Sequence, residues 1–151
     1  MARRAGYVSP TALRSAMART SATAEDLAVM LEVSTSTIEG WLSARRVPEP
    51  PQLARLARAL RVQPADLTLV APSEERLHDL RVHAGLLQAD VSHASGLGQP
   101  QLSKMERGVV APKVELCETL ASIYGVDAER VHTAWSRTRD DRKRHAENKL
   151  A

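Results

Sequence analysis

Residues 88–108 read QADVSHAS-GLG-QPQLSKMERG, with two short segments on either side of a Gly-Leu-Gly turn. Gln88 to Ser95 and Gln99 to Arg107 both have the composition of short helices, and Gly108 is placed to end the second one. Two short helices joined by a turn of about three or four residues are the signature of a helix-turn-helix. This stretch therefore predicts the fold of the surrounding chain.

The second of these helices is predicted to have one buried and one polar side. Ala94 and Leu97 are expected to lock the two helices together, and Leu102 to bury the back of the second. The polar front carries Gln99, Gln101, Ser103 and Lys104. Such a helix fits the major groove, where Gln pairs with adenine and Lys reaches guanine, although a merely solvated face is the alternative. Gln88 could hold a phosphate at the start of the preceding helix.

Two parts of the chain are similar in sequence and align without a gap. Matching residues are separated by a constant number of positions, that between Leu13 and Leu77, which we call the repeat offset. Asp26, Pro48, Leu56, Ala57 and Val62 likewise recur as Asp90, Pro112, Leu120, Ala121 and Val126. Similar apolar pairs, such as Ile38 with Leu102, keep the same offset. We therefore predict a tandem duplication with units at 8–68 and 74–136. A basic tail at 137–151 follows, as a frayed helix, a disordered arm or a partner-binding helix.

Each unit is predicted to be all-α, with five short helices. Apolar residues recur at helical spacing, and polar residues precede each group as candidate helix caps. In the first unit Ser9, Thr23 and Ser34 are expected to cap the first three helices. In the second unit Ser73 is expected to cap a helix that begins with Glu74-Glu75, and Asp127 to cap the last helix.

Charge is distributed unevenly along the chain, whose formal net charge is +3. Residues 1–67 carry +3, residues 68–131 carry −3 and residues 132–151 carry +3. A basic, acidic and basic succession indicates segments with different partners. The second unit has an acidic set on its later helices, formed by Glu115, Glu118, Asp127 and Glu129. This set could bind a protein.

Composition and motifs exclude several function classes. The single cysteine closes no internal disulfide, and no Cys-x-x-Cys or histidine spacing suits a metal, so we expect no cofactor. Without Gly-x-Ser-x-Gly, a P-loop or His-Glu-x-x-His, we expect no enzyme. The basic start at residues 1–6 is followed by no apolar run, and no stretch approaches the roughly 18 apolar residues of a membrane span. We expect a cytoplasmic protein with no membrane partner.

The second unit carries an extended motif that resembles a known family. It runs Leu77-x3-Arg81-x3-Gly85-Leu-Leu-Gln88-x-Asp90-Val91-Ser92-x3-Gly96-Leu97-x4-Leu102-Ser103-Lys104-Met105-Glu106-Arg107-Gly108-x3-Pro112. Together with Leu120-Ala121-x2-Tyr124-Gly125-Val126, this motif is similar to the phage-repressor and Cro-like (XRE) family. The resemblance covers nearly all of residues 74–135, and residues 11–67 match less fully. It implies two tandem five-helix lambda-repressor-like helix-turn-helix domains, each with its third helix in the major groove.

Site residues follow from the resemblance at matching positions. It implies base contacts from Gln99, Pro100 or Gln101, and Lys104, with Ser103 on the same front. It implies phosphate contacts from Gln88, from Arg107 and from the loop after it. In the first unit the equivalent front is Thr35, Ser36, Thr37 and Gly40. Arg45 and Arg46 lie at the loop, where their positive charge indicates a supporting role in phosphate contact.

The first unit departs from the family pattern and is interpreted as degenerate. Glu39 stands where the second unit has Ser103, which places a carboxylate on or near the DNA-facing side. Gly40 is expected to weaken the recognition helix by about 0.5–1 kcal/mol relative to alanine. Ala44 replaces the helix-ending Gly108. The better motif therefore lies in the acidic unit and the poorer motif in the basic one.

Two function classes remain. The first is a sequence-specific regulator of transcription that binds double-stranded DNA, with the recognition helix of each unit in the major groove. Its two units could occupy half-sites about 34 Å apart. Alternatively, the second unit alone reads DNA, and the first mediates a homodimer or lies beside the DNA-reading unit. The second class is a protein-interaction module, an antitoxin or an adaptor for the transcription machinery, which would use the acidic face of the second unit.

Overall fold

A computed structural model describes residues 6–151 of the chain. The basic start at residues 1–6 is not expected to be a secretory signal, and residues 1–5 of it lie outside the described range. The described residues divide into two compact units, with the boundary between Ala71 and Pro72. The elements of these residues are all helical, which confirms the predicted all-α class. Among the described helices, none combines the length and apolar character that crossing a membrane requires.

The first unit contains five α-helices: α1 (Pro10–Thr20), α2 (Ala24–Leu31), α3 (Thr35–Leu42), α4 (Pro50–Ala59) and α5 (Pro64–Thr68). The predicted caps are confirmed. Ser9 Oγ accepts a hydrogen bond from the Ala12 N–H at 3.2 Å. Thr23 caps α2 in a capping box, and Ser34 Oγ accepts from the Thr37 N–H at 3.1 Å. The side chains of the residues just before these helices thus accept hydrogen bonds from N–H groups of the first turn, which have no partner within the helix.

The core of the first unit lies where α1 packs on α3 and α5, and α2 on α3 and α4. Its fully buried side chains are contributed by every helix and include Leu13, Leu27, Ile38, Trp41, Leu53, Leu56 and Leu67. Helical spacing places these residues on the inward face of each helix. The arrangement leaves one side of α3 free of core contacts.

The second unit contains a 3₁₀ turn at Pro72–Glu74 and then α6 (Leu77–His83), α7 (Gln88–Ser95), α8 (Gln99–Glu106), α9 (Val114–Tyr124) and α10 (Ala128–Leu150). The expected cap at Ser73 is wrong, because α6 begins at Leu77. The Glu75 carboxylate is buried and accepts from Arg130 Nε at 2.9 Å, so it is not at a solvated helix start. The Arg76 N–H instead donates to Asp79 Oδ2 at 2.8 Å.

The two units share one helical plan. Helices α7, α8, α9 and α10 each begin one repeat offset after α2, α3, α4 and α5 respectively. The buried Leu102 and Met105 of α8 match the buried Ile38 and Trp41 of α3 at the same offset. Two tandem five-helix domains are therefore confirmed, while the domain limits of 8–68 and 74–136 stay a prediction.

Helix α10 departs from the plan because it has 23 residues, whereas its counterpart α5 has five. Asp127 caps it as predicted, with Oδ1 accepting from the Arg130 N–H at 2.8 Å. The segment set apart as a basic tail is the continuation of this helix up to Leu150. Thr138 Oγ1 accepts from the Leu77 N–H at 3.0 Å, so the helix is bound to the start of the unit.

Candidate nucleic-acid interface

The turn between α7 and α8 is built by two glycines and two serines, and the Ser95 hydroxyl accepts a hydrogen bond from the Leu97 N–H at 3.1 Å. Gly96 has a φ of 74°, which only glycine adopts readily, and Gly98 precedes the first residue of α8. The Ser92 hydroxyl donates to the Leu97 carbonyl across the turn. These local features direct α8 away from α7 within the short Gly-Leu-Gly segment.

The packing between the two helices differs in one respect from the prediction. Leu102 is fully buried and Leu97 packs against the core, as expected. Ala94 is exposed, however, so its assigned locking role is wrong. The fully buried Val91 is the residue of α7 that enters the core. Because α7 has only eight residues, Ala94 lies in its last turn, next to the chain reversal at Gly96.

Helix α8 presents a polar ridge on the surface of the second unit. Gln99, Pro100 and Lys104 are exposed, and Gln101 and Ser103 are half-buried. Arg107, immediately after the helix, is also exposed. On the opposite side Leu102, Met105 and Glu106 are buried. The structure therefore places all the predicted residues of α8 on one accessible face and anchors the helix from behind.

A buried ion pair holds α8 in position. Glu106 is 8% exposed and accepts two hydrogen bonds from Arg81, at 2.7 Å from Nε and at 3.0 Å from Nη2. Arg81 Nη1 donates to the Leu86 carbonyl at 3.0 Å. The pair thus ties α6 and the loop before α7 to the back of α8.

Gln88 joins the same cluster. Its Nε2 donates to Glu106 Oε1 at 2.9 Å, and the side chain is half-buried. The Gln88 amide nitrogen has two hydrogens, so one hydrogen is not used in this bond. Gln88, which is predicted to bind a phosphate, is therefore held in a defined orientation by Glu106, the residue that anchors α8.

The loop after α8 packs against α10. Gly108 has a φ of 75°, and a methyl group added there would lie 2.9 Å from the Thr138 carbonyl oxygen and 3.1 Å from Arg142 Cβ. Only glycine allows this close approach. The continuation of α10 thus supports the loop that the family resemblance assigns to phosphate contact.

The first unit presents a different surface at the equivalent place. Thr35 and Ser36 are exposed on α3, and Thr37 is half-buried. Arg45 is exposed, and its Nε donates to Ser43 Oγ at 3.0 Å. Arg46 is also exposed. The structure brings Arg46 to Thr37, with Arg46 Nη1 at 3.5 Å from Thr37 Oγ1, whereas the contact of Arg45 is with Ser43 at the end of α3.

Gly40 has a role that its helix propensity does not suggest. It is buried, because the side chain of Arg46 folds over it. From the sequence, Gly40 is placed on the front of α3 and is expected to weaken that helix, but its contact with Arg46 is not predicted. The role of Arg81 is not predicted either. The glycine aligned with Lys104 was an available signal, whereas nothing local indicates that Arg81 pairs with a residue 25 positions away.

Family comparisons agree with this geometry. Residues 77–131 match a family model described as helix-turn-helix, and residues 11–70 match a model described as helix-turn-helix domain. The two matches support an XRE-like helix-turn-helix in each unit. Both matches contain the pair of helices that forms the motif, α7 with α8 in one and α2 with α3 in the other.

Two curated proteins are similar to part of this chain. One is the HTH-type transcriptional regulator DdrOP3 of Deinococcus deserti, 42% identical over 52 residues, which are 34% of this chain and 40% of that protein. The other is the cryptic phage CTXphi transcriptional repressor RstR of Vibrio cholerae, 39% identical over 51 residues, which are 34% of this chain and 46% of that protein. The match spans less than half of either relative. No solved structure matches the chain significantly.

Proposed function

We propose that this protein is a sequence-specific regulator of transcription that binds double-stranded DNA. The observation that carries the proposal is the polar ridge of α8, on which Gln99 and Lys104 are exposed, and which is anchored from behind by buried residues of the same helix. A rigid convex helix of this kind fits the major groove of B-DNA. The similarity to a transcriptional regulator and to a phage repressor supports the same conclusion.

In this proposal α8 reads bases and its surroundings contact phosphates. Gln99 or Gln101 pairs with adenine through the side-chain amide, and Lys104 donates to the acceptors of guanine. Gln88 and Arg107 bind phosphates on either side of the groove. Arg81 and Glu106 take no part in these contacts, and they fix the angle at which α8 meets the duplex.

The first unit adds a second contact in the same proposal. Arg45 binds a phosphate, and the two units occupy adjacent half-sites, about one helical turn of roughly 34 Å apart. A homodimer in which only the second unit reads DNA is the competing arrangement. We propose a cytoplasmic location and no catalytic activity for the protein.

Selection of bound duplexes from a random pool tests this proposal. The full chain is expected to enrich one motif, whose length and symmetry show whether one or two half-sites are read. Affinity for that motif should fall steeply with salt, because each phosphate contact releases counterions. Gln101→Ala or Lys104→Ala should cost about 1–3 kcal/mol at one base pair. Arg45→Ala should weaken all sequences similarly and reduce the salt slope by about one.

Lys149→Ala is the matched control, since Lys149 is an exposed lysine at the end of α10. It should change neither the enriched motif nor the discrimination between bases. Equal and sequence-blind losses from Lys104→Ala and Arg45→Ala would contradict the assignment of α8 as the reading helix.

A protein-interaction module is the second candidate, and the acidic set of the second unit favours it. Glu115, Glu118, Asp127 and Glu129 are all exposed. If this function is correct, the chain shows no salt-dependent affinity for any duplex and captures a protein. Replacing Glu115 and Glu118 by lysine would abolish that capture, whereas Gln101→Ala would leave it unchanged.

A further inference from the structure

The recognition helix of the first unit carries no cation on its front. Its front positions are Thr35, Ser36, Thr37 and Gly40. At the repeat offset, Gly40 is the counterpart of Lys104 and Thr37 is the counterpart of Gln101. Two of the positions assigned to base reading in the second unit, those of Gln101 and Lys104, therefore carry small residues in the first.

The side chain of Arg46 covers these two positions. A methyl group on Gly40 would lie 2.8 Å from Arg46 Cδ, 2.9 Å from its Cγ and 3.2 Å from its Cβ, so the arginine stem lies directly on the glycine. Arg46 Nη1 is 3.5 Å from Thr37 Oγ1. The side chain thus runs along the front of α3 from Gly40 to Thr37. These two residues are the counterparts of Lys104 and Gln101.

The backbone after α3 directs Arg46 to this place. Ala44 has a φ of 60°, which turns the chain back towards the helix. The Arg46 N–H then donates to the Gly40 carbonyl at 3.1 Å. In the second unit the Val109 N–H donates the corresponding hydrogen bond to the Lys104 carbonyl. At the repeat offset Val109 matches Arg45, so this bond forms one position earlier in the loop than in the first unit. The counterpart of Arg46 there is Val110, which is apolar and packs against the core.

We propose that Arg46 is the specificity-determining residue of the first unit, and that it reads a guanine from the loop in place of a side chain on α3. This inference rests on the proposed DNA-binding function. Arg46 is exposed and its stem lies on Gly40, and a guanidinium binds the O6 and N7 acceptors of guanine in a bidentate manner. Gly40 is its positioning residue, because any larger side chain displaces the stem.

The assignment separates Arg46 from its neighbour Arg45. Arg45 Nε donates to Ser43 Oγ at 3.0 Å, beyond the end of α3 and away from the front of that helix. We therefore expect the two arginines to differ in kind: Arg45 contributes affinity without sequence preference, and Arg46 contributes preference for one base pair.

Random-pool selection with the full chain tests the inference on four variants: Arg46→Ala, Arg46→Lys, Gly40→Ala and Arg45→Ala. Arg46→Ala should lose about 10- to 100-fold in discrimination at one guanine of the half-site read by the first unit. Arg46→Lys should lose less of it, because an ammonium also reaches the guanine acceptors but lacks the planar fork of the guanidinium. Arg46→Lys should retain most of the overall affinity, because it keeps the positive charge. Gly40→Ala should lose the same guanine preference although Arg46 is still present, and Arg45→Ala should keep it.

Three outcomes would overturn the inference, and they differ in what they imply for the proposed function. Unchanged guanine preference in Arg46→Ala would show that the arginine does not read bases. A motif with a single half-site that depends on Lys104 alone would leave the regulator proposal in place and remove Arg46 from it. Absence of sequence-dependent binding in the wild-type chain would contradict the proposed function itself. Circular dichroism of Gly40→Ala shows whether its helices are intact, and the two Arg46 variants decide the question if they are not.

Discussion

At position 106 one buried carboxylate accepts three hydrogen bonds, two from Arg81 and one from Gln88. Arg81 is itself only 9% exposed, so its guanidinium relies on hydrogen bonds within the protein in place of water. Removing one member of a buried pair leaves the other charged and unpaired, which costs more than the pair contributes as a whole. The position of α8, and with it the proposed reading face, depends on this cluster.

We expect Glu106→Gln to lower the free energy of unfolding of the second unit by about 3 kcal/mol, because it strands the Arg81 guanidinium. Replacing both residues by methionine should recover much of this loss. Urea unfolding followed by circular dichroism measures both variants against Glu147→Gln, an exposed glutamate of α10 that should have no effect. If Glu106→Gln were as stable as that control, the cluster would not anchor α8.

At the scale of elements, α10 is bound to the beginning of the second unit. Arg76 Nε donates to Asp141 Oδ2 at 2.7 Å, and Arg144 also contacts this carboxylate. The hydrogen bond from Arg76, assisted by Arg144, holds the pKa of the Asp141 carboxyl below its usual value. Because the pKa is lowered in the folded state, the ionised carboxylate stabilises α10 at neutral pH.

The sign of this shift sets the pH dependence of an Asp141→Asn variant. The stabilisation is present above the unfolded pKa of about 3.9 and is lost as the pH falls through the lower folded pKa. We expect the variant to be less stable by about 0.5 kcal/mol at pH 7, since the pair is partly exposed. The difference should vanish in strongly acidic solution. Urea midpoints from pH 7 to pH 2 measure it.

Asp140→Asn is the control for this series, because Asp140 pairs with the adjacent and exposed Arg139. Its midpoint should follow that of the wild type over the whole range. A deficit of Asp141→Asn that persisted unchanged at pH 2 would show that the ion pair is not its source.

At the scale of the whole molecule, each unit has its own apolar core and one of the two tryptophans. Trp41 is buried in the first unit and Trp135 in the second, so their indole N–H signals report the two units separately. Ile38 and Leu102 occupy positions matched by the repeat offset, and both are fully buried.

Ile38→Ala and Leu102→Ala form a matched pair of core truncations. Each should cost about 2–5 kcal/mol in its own unit, through lost burial and a cavity. In a urea titration followed by NMR, Ile38→Ala should lower the midpoint of the Trp41 signal and leave that of Trp135. Leu102→Ala should do the reverse. Midpoints that moved together in both variants would show that the chain unfolds as one cooperative body.

Much of the fold could be predicted because helix periods and caps are encoded within a few residues. Ser9, Thr23, Ser34 and Asp127 cap the helices assigned to them, and the repeat offset relates the helix starts of both units. The accessible face of α8 follows from the same periodicity, because burying Leu102 and Met105 turns Lys104 outward. Ser73 failed as a cap because Glu75 pairs with Arg130, 55 positions away.

The remaining features arise from contacts between distant residues, and no short pattern encodes them. Arg81 meets Glu106 across 25 positions, and Arg76 meets Asp141 across 65. Whether such side chains meet depends on how the helices cross, which follows from the packing of the whole core. Arg46 covers Gly40 only because the loop turns back at Ala44. The amino-acid order thus specifies the helices and their outward faces, whereas the folded chain specifies which charges bind each other, because charges attract at any sequence separation once packing brings them together.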